Sequence, residues 1–110
     1  MRILAFERNL PARAHPNLPD IVRAEAACIW DLHRRGLIRE AWSTVPGQRA
    51  ILLLECNGAV EARGHLDALP LVRLGLREFE MLELDAYDGF DLLLGVGQGA
   101  PSRTEEPPEY

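Results

Sequence analysis

Residues 37–56 read LIREAWSTVPGQRAILLLEC, and this stretch decides the fold. Its two ends, 37–44 and 49–56, are each rich in apolar residues and predict strands. Between them, Pro46-Gly47 predicts a tight turn. Two strands joined by so short a connection pair antiparallel, so the sequence predicts a β-hairpin here.

The second strand of this hairpin is apolar at four consecutive positions, from Ile51 to Leu54. Successive side chains of a strand point to opposite faces of a sheet, so both faces of this strand need cover. The rest of the chain supplies two predicted helices, which can cover one face. An open apolar face would be exposed to water, so we expect a second copy of the chain to cover it, in a homodimer or higher homo-oligomer.

Further elements are predicted before the hairpin. Residues 2–8 alternate in polarity and indicate a first strand. Apolar residues then recur at helical spacing over 18–35, with Asn17 as the expected N-cap and Gly36 ending the helix.

After the hairpin, Asn57-Gly58 opens a second predicted helix, which Pro70 closes, and residues 76–85 alternate as a fourth strand. The order β-α-β-β-α-β predicts a ferredoxin-like α+β fold. We expect a four-stranded antiparallel sheet with two helices on one of its faces.

The domain is expected to span residues 1–95. Its last part, 86–95, is apolar but too short to pack alone, and it either lies over the protomer or crosses to a partner. The Gly/Pro-rich, polar residues 96–110 predict a flexible tail.

The composition of the chain excludes several classes of partner. Its 110 residues carry a formal net charge of −5, which argues against nucleic acid and against an anionic membrane surface. Neither a membrane span nor a signal peptide is indicated, so a cytoplasmic location is expected. Cys28 and Cys56 lack CxxC spacing and predict buried thiols, with no metal site and no redox pair.

Two short motifs resemble the muconolactone isomerase family. Residues 32–42 read LHRRGLIREAW, and residues 66–71 read LDALPL. In that family a helix ends in a basic-plus-Gly turn, the next strand carries a Trp, and the second helix ends in Leu-Pro-Leu. The positions that match here are Arg35, Gly36, Trp42, Leu69, Pro70 and Leu71, with Arg8 as a further correspondence. The resemblance covers roughly residues 1–90.

The resemblance implies a dimeric α+β barrel, in which two sheets face each other with the helices outside. It also implies isomerisation of a butenolide lactone in aromatic catabolism, without metal or organic cofactor. The sequence departs from the family where Val72-Arg73-Leu74-Gly75 replaces an aromatic, Pro-containing stretch. Glu40 lies near the place of a family His, and Arg63 takes the place of another.

Lactone isomerisation needs a group that removes a proton beside a carbonyl. Glu40 and Glu55 lie in the predicted hairpin, where one of them could act as the base, and burial among Ile38, Trp42 and Leu54 would suit a carboxyl group to that role. Glu40 is the first catalytic candidate. The alternative is that these carboxylates lie at a rim or pair with arginines. His33, at the edge of the apolar face of the first helix, is the second catalytic candidate, or an ordinary boundary histidine.

Arg8, Arg39 and Trp42 are the candidate substrate-binding residues. Both arginines could hold a carboxylate through their forked donors, or form surface ion pairs instead. Trp42 could line an apolar pocket, or pack in the core or the dimer interface.

The leading hypothesis is a cofactor-independent isomerase for a lactone or small organic acid, with its pocket between the helices and the sheet. A cofactorless oxygenase or a dehydratase-like enzyme is a second enzymatic alternative. The alternative from another class is a non-catalytic small-molecule-binding or assembly protein that keeps the barrel.

Overall fold

The computed structural model describes residues 1–95, and the tail predicted at 96–110 lies outside the described residues. The elements in chain order are β1 (Arg2–Glu7), α1 (Leu18–Arg34), β2 (Ile38–Ser43), β3 (Ala50–Glu55), α2 (Ala59–Asp67), α3 (Pro70–Arg73), β4 (Phe79–Leu84) and α4 (Gly89–Leu94). The predicted α+β fold and its βαββαβ order are confirmed. The short helices α3 and α4 are additions that the sequence pattern did not predict.

The four strands form one antiparallel sheet in the order β2-β3-β1-β4. The predicted hairpin supplies β2 and β3, and β1 pairs with β3 on one side and with β4 on the other. The strands β2 and β4 are therefore the two edges of the sheet.

Helix α1 begins with Pro19 and Asp20 in its first turn, where proline needs no hydrogen-bond donor and an acidic residue suits the helix dipole. Asn17 holds the N-cap position, but its side chain forms no capping hydrogen bond; its backbone oxygen accepts from the N–H groups of Asp20 and Ile21. The helix ends before Gly36, whose φ of 83° suits glycine.

Pro70, expected to close the second helix, instead begins a separate short helix. Helix α2 already ends at Asp67, and Pro70 then opens α3. Proline is favoured at this first helical position because its fixed φ matches the helix and its missing N–H is not needed there.

The core lies between the helices and one face of the sheet. Ile3, Leu54 and Leu66 are fully buried in it. The other buried members of the core are Ala5, Leu32, Ile38, Leu52, Cys56, Ala62, Leu69 and Phe79. The leucine, isoleucine and phenylalanine side chains among them each stabilise the fold by about 1.5–3 kcal/mol through removal of apolar surface from water.

The opposite face of the sheet, here called the open face, is also apolar. In the register, Leu4 lies between Leu53 and Leu82, and Phe6 lies opposite Ile51. Leu82 is 52% exposed, and the other four are only partly buried. The consecutive apolar run of β3 therefore serves both faces, and within the described residues no helix covers the open one.

A β-bulge at Arg39 changes which side chains of β2 face the helices. Ile38 pairs with the buried Leu54, but Glu40 pairs with Leu53 and Trp42 with Ile51, so these two side chains belong to the open face. The expected burial of Glu40 beside Ile38 and Leu54 is therefore wrong for the protomer: Glu40 is exposed. The bulge turns Ala41 and Ser43 toward the helices instead.

Helix α4 follows the edge strand β4 and exposes its apolar side chains. Phe90 is 59% exposed, and Leu92, Leu93 and Leu94 are each more than 70% exposed. The expectation that this segment lies over the protomer is wrong, whereas its crossing to a partner stays a prediction. None of the helices in residues 1–95 is long and apolar enough to cross a membrane.

Candidate functional site

An open cleft of about 280 Å³ lies between α1 and the sheet, at the end where β1 and β2 finish and β3 begins. Its walls are mostly apolar and its polar side chains are few, as in small-molecule sites. The lining residues are Val22, Glu25, Ala26, Ile29, Ala41, Trp42, Ser43, Ala50, Leu52, Leu71 and Arg77. A pocket between helices and sheet was expected from the sequence, and of the liners expected there only Trp42 is among those observed.

Glu25 is the one buried charged residue of the described chain, with 2% of its surface exposed. Its Oε1 accepts a hydrogen bond of 2.8 Å from the N–H of Leu71, at the start of α3. Its Oε2 accepts one of 2.9 Å from Nη1 of Arg77. A buried carboxylate needs such partners, because an unpaired charge away from water is costly.

Arg77 lies between α3 and β4 and is four-fifths buried. Besides Glu25, it faces Glu7, whose Oε2 lies 3.3 Å from its Nε. That Nε forms no hydrogen bond in the described structure, since the geometry toward Glu7 is unfavourable. Because Nε is buried and Nη1 donates to Glu25, the donor that Arg77 keeps for a ligand is Nη2, which makes no hydrogen bond to a described residue. The guanidinium lies 5.8 Å from the centre of the Phe79 ring.

Glu7 is the third charged residue beside the cleft, together with Glu25 and Arg77. Its Oε1 accepts a hydrogen bond of 2.8 Å from the N–H of Ala50, the first residue of β3. Glu7, Glu25 and Arg77 together carry two negative charges and one positive charge. We call these three residues the Glu-Arg-Glu group.

The five residues predicted for the site do not come together. Arg8 follows β1 and pairs with Glu78 at 2.8 Å and with Glu80 at 3.3 Å, beside the edge strand β4. Arg39, Glu40 and Trp42 lie on β2, which is the opposite edge of the sheet. In this ordering Arg8 is two strands away from Glu40.

Among the predicted residues, Glu40 and Trp42 contact each other: Nε1 of Trp42 donates a hydrogen bond of 3.0 Å to Oε1 of Glu40. Trp42 is also the only one of the five among the lining residues of the cleft, which it borders at the edge strand β2; its side chain belongs to the open face and is 64% exposed. Arg39 is exposed and lies at the bulge.

His33 lies beside the neighbouring groove of about 410 Å³, which Ala26, Ile29, Trp30 and Ala41 complete. Its Nδ1 is 2.9 Å from the backbone oxygen of Ile38, so this nitrogen is occupied by the turn between α1 and β2. The Trp30 ring lies 5.6 Å from the imidazole, centre to centre.

Glu55, the second carboxylate of the predicted hairpin, is engaged at the far end of the sheet. Its Oε2 is 2.7 Å from the N-terminal ammonium, and its Oε1 is 3.3 Å from Nε of Arg2. The hydrogen bond from the ammonium group is the main reason that the pKa of Glu55 lies below its ordinary value.

The thiols and carboxylates give no sign of other chemistry. Cys56 is buried and Cys28 partly buried, and desolvation raises the pKa of the Cys56 thiol. In residues 1–95 no group of His, Cys, Asp and Glu side chains is arranged to hold a metal ion.

Glu25 and Arg77 are site residues that the sequence reasoning missed. One signal was available, because Glu25 lies four residues after Ile21 and three before Cys28, within the apolar stripe of α1. A charged residue in such a stripe needs a buried partner. Nothing in the sequence indicated that Arg77 is that partner.

Several solved structures share this fold, among them the following two. Muconolactone isomerase matches with a TM-score of 0.68 and 18% identity, over 79% of this chain and 91% of that one. The 5-chloro-2-hydroxyhydroquinone dehydrochlorinase (TftG) from Burkholderia phenoliruptrix AC1100, solved in complex with 2,5-dihydroxybenzoquinone, matches with a TM-score of 0.58 and 15% identity, over 81% of this chain and 98% of that one.

These similarities confirm, at the level of the fold, the resemblance stated from the LHRRGLIREAW and LDALPL motifs. No family model matches the sequence, and no curated protein matches it.

Proposed function

We propose that this protein is a cofactor-independent isomerase that moves a proton within a small oxygenated ring, such as a lactone, bound in the cleft beside α1. The observation that carries this proposal is the contact between Glu25 and Arg77 in an apolar cleft. It brings a buried carboxylate and a cation with one unused donor, Nη2 of Arg77, to one small volume.

The size of the cleft suits a single ring. Its volume of about 280 Å³ lies just below the range of about 300–1,000 Å³ found for small-molecule sites. TftG, which shares the fold, was solved with a one-ring ligand, 2,5-dihydroxybenzoquinone. This similarity supports a ligand of ring size, and the chemistry proposed here rests on the side chains of the cleft.

In the proposed reaction, Glu25 removes a proton from the ring carbon next to the carbonyl. The electron pair of the broken C–H bond moves onto the carbonyl oxygen, where Arg77 stabilises the negative charge. The electrons then return through the conjugated ring, and Glu25 delivers the proton to the distant end of that system. Substrate and product have the same composition, so no further reactant is needed.

Glu40 remains the alternative base. In that case His33 would be the second catalytic residue, and the substrate-binding residues would be Arg8, Arg39 and Trp42. On the open face Glu40 is exposed in the protomer, and a second copy would have to bury it. This alternative therefore depends on assembly, whereas Glu25 is buried within one chain.

We also propose that the protein is a homodimer formed by two open faces, within which α4 crosses to the partner. The partly exposed side chains of Leu4, Phe6, Ile51 and Leu53 support this assembly, since an apolar sheet face of this kind is unfavourable in water.

A turnover assay with α-angelica lactone, a small enol lactone, tests the proposed function. Double-bond migration in this ring is followed by ultraviolet absorbance. We expect Glu25→Gln to lower kcat by about 10²–10⁴-fold, as for loss of a general base, while the circular dichroism spectrum is kept. Full activity of Glu25→Gln together with loss in Glu40→Gln would instead identify Glu40 as the base.

Binding without catalysis is a second candidate, and one observation favours it. Both oxygens of Glu25 already accept hydrogen bonds, from Leu71 and from Arg77, which holds α3 against α1. Ring compounds that bind in the cleft but are never converted by the unmodified protein would establish this alternative.

A further inference from the structure

The charges around the cleft disfavour a negatively charged ligand. Within the described residues, Arg77 is the only basic side chain that lines the cleft. It is opposed by two carboxylates, Glu25 at 2.9 Å and Glu7 at 3.3 Å. The Glu-Arg-Glu group therefore has a net charge of −1 before any ligand enters.

The hydrogen-bond donors of Arg77 also disfavour a ligand with a free carboxylate. An arginine holds a carboxylate best with two parallel N–H groups, because the guanidinium fork matches the two oxygens. Here Nη1 donates to Glu25 and Nε faces Glu7, so each of the two parallel donor pairs, Nη1 with Nη2 and Nε with Nη2, already has one member engaged. A carboxylate in the cleft would have to compete with Glu25 for Nη1.

A single carbonyl oxygen makes smaller demands. It needs one donor, which Nη2 of Arg77 can supply, and it brings no charge to meet Glu25 and Glu7. The rest of the ring can contact the apolar walls formed by Val22, Ile29 and Leu52.

We infer that the cleft selects a neutral ring with a carbonyl group and rejects the corresponding ring with a free carboxylate. This inference rests on the proposed function and narrows its substrate class, from small oxygenated rings of any charge to uncharged lactones and related cyclic carbonyl compounds.

Two matched ligands test this selection: α-angelica lactone, and its analogue with a carboxymethyl group in place of the methyl group. Binding to each is measured by calorimetry, and turnover of each by absorbance. We expect the neutral lactone to bind at least about tenfold more tightly at low ionic strength, since like charges a few ångströms apart in a partly buried site repel each other with little screening.

The variant Glu7→Gln tests the cause of the selection. Glutamine keeps an oxygen that can accept from the N–H of Ala50, but it removes one negative charge from the group. We expect it to raise the affinity for the carboxymethyl analogue severalfold relative to that for α-angelica lactone. Glu83→Gln, the same change at an exposed position of β4 away from the cleft, should leave the ratio of the two affinities unaltered.

The outcomes separate this inference from the proposed function. Preferred binding and conversion of the carboxymethyl analogue would overturn the inference and leave the isomerase standing. Preferred binding of the neutral lactone without turnover would support the inference and overturn the isomerase. Failure of both ligands to bind would overturn the inference and the proposed isomerase together. An affinity ratio that Glu7→Gln leaves unchanged would show that the Glu-Arg-Glu group does not cause the selection.

Discussion

Arg77 and Glu25 are 52 positions apart in the sequence, and Nη1 of the arginine donates a hydrogen bond of 2.9 Å to the buried glutamate. The other oxygen of Glu25 accepts from the N–H of Leu71, so one carboxylate connects α1, the first turn of α3 and the segment before β4. These hydrogen bonds therefore hold α1 and α3 together beside the cleft, and they place a carboxylate and a guanidinium group in its wall.

Replacement of Glu25 by glutamine should destabilise the protein. The change removes the negative charge that faces a mostly buried Arg77, and we expect a loss of about 1–3 kcal/mol in the free energy of unfolding. Urea denaturation followed by circular dichroism measures this loss.

Glu78→Gln is the matched control for that change, because Glu78 also pairs with an arginine, at 2.8 Å, but both side chains are about half exposed. Exposed pairs contribute about 0–1 kcal/mol. Equal destabilisation by the two substitutions would contradict the assignment of Glu25 as a buried ion-pair partner.

The open face should hold the homodimer together. Leu53 lies on β3 at the centre of this face, opposite Leu4. We expect Leu53→Glu to give a folded monomer, because two such faces would bury a charge without a partner. Sedimentation velocity measures the change in mass.

Val60→Glu provides the control for the dimer experiment, since Val60 is 88% exposed on α2, in the helical layer on the other side of the sheet. It should leave the mass of the assembly unchanged. A folded Leu53→Glu variant with the mass of the unmodified protein would exclude the open face as the interface.

Protonation of Glu55 should lower the stability of the folded protein as the pH becomes acidic. The N-terminal ammonium holds the pKa of Glu55 below its ordinary value of 4.5. A carboxyl group with a lowered pKa in the folded state stabilises the protein above its unfolded pKa, and this stabilisation is lost as the pH falls through the folded pKa.

Glu55→Gln should therefore reduce the fall in Tm between about pH 5 and pH 3, measured by differential scanning calorimetry. Glu83→Gln, at an exposed position on β4, should leave this fall nearly as it is. A steep fall that Glu55→Gln does not change would show that other carboxylates cause it.

The two thiols should differ in reactivity. Cys56 is buried, and burial raises its pKa above the ordinary 9.0, so little thiolate is present near neutral pH. We expect Cys28→Ser, which leaves Cys56 alone, to react with a disulfide reagent at least about tenfold more slowly than Cys56→Ser. Equal rates in the native state, with full reaction of both in denaturant, would mean that Cys56 is accessible.

Much of the fold could be predicted because its signals are local. The helical spacing of apolar residues before Gly36 gave α1, and the turn at Pro46-Gly47 gave the β2-β3 hairpin. The second helix was predicted less completely, since α2 ends at Asp67, before Pro70, and Pro70 begins a separate helical segment. The strand order was not predicted, because it depends on pairing between distant segments.

The candidate site was predicted much less well. Glu40 and Trp42 were expected on the same face as Ile38, which follows from strict alternation along a strand. The extra residue at the bulge reverses the alternation after Ile38, and no feature of the sequence marks Arg39 as a bulge position.

The sequence by itself determined the α+β architecture and the apolar character of both sheet faces, because the run from Ile51 to Leu54 and the spacing along α1 act within a few residues of chain. Only the tertiary structure decided which carboxylate is buried beside which arginine. Glu25 and Arg77 meet because α1 and the segment before β4 pack together, and contact between such distant residues depends on the arrangement of the whole chain.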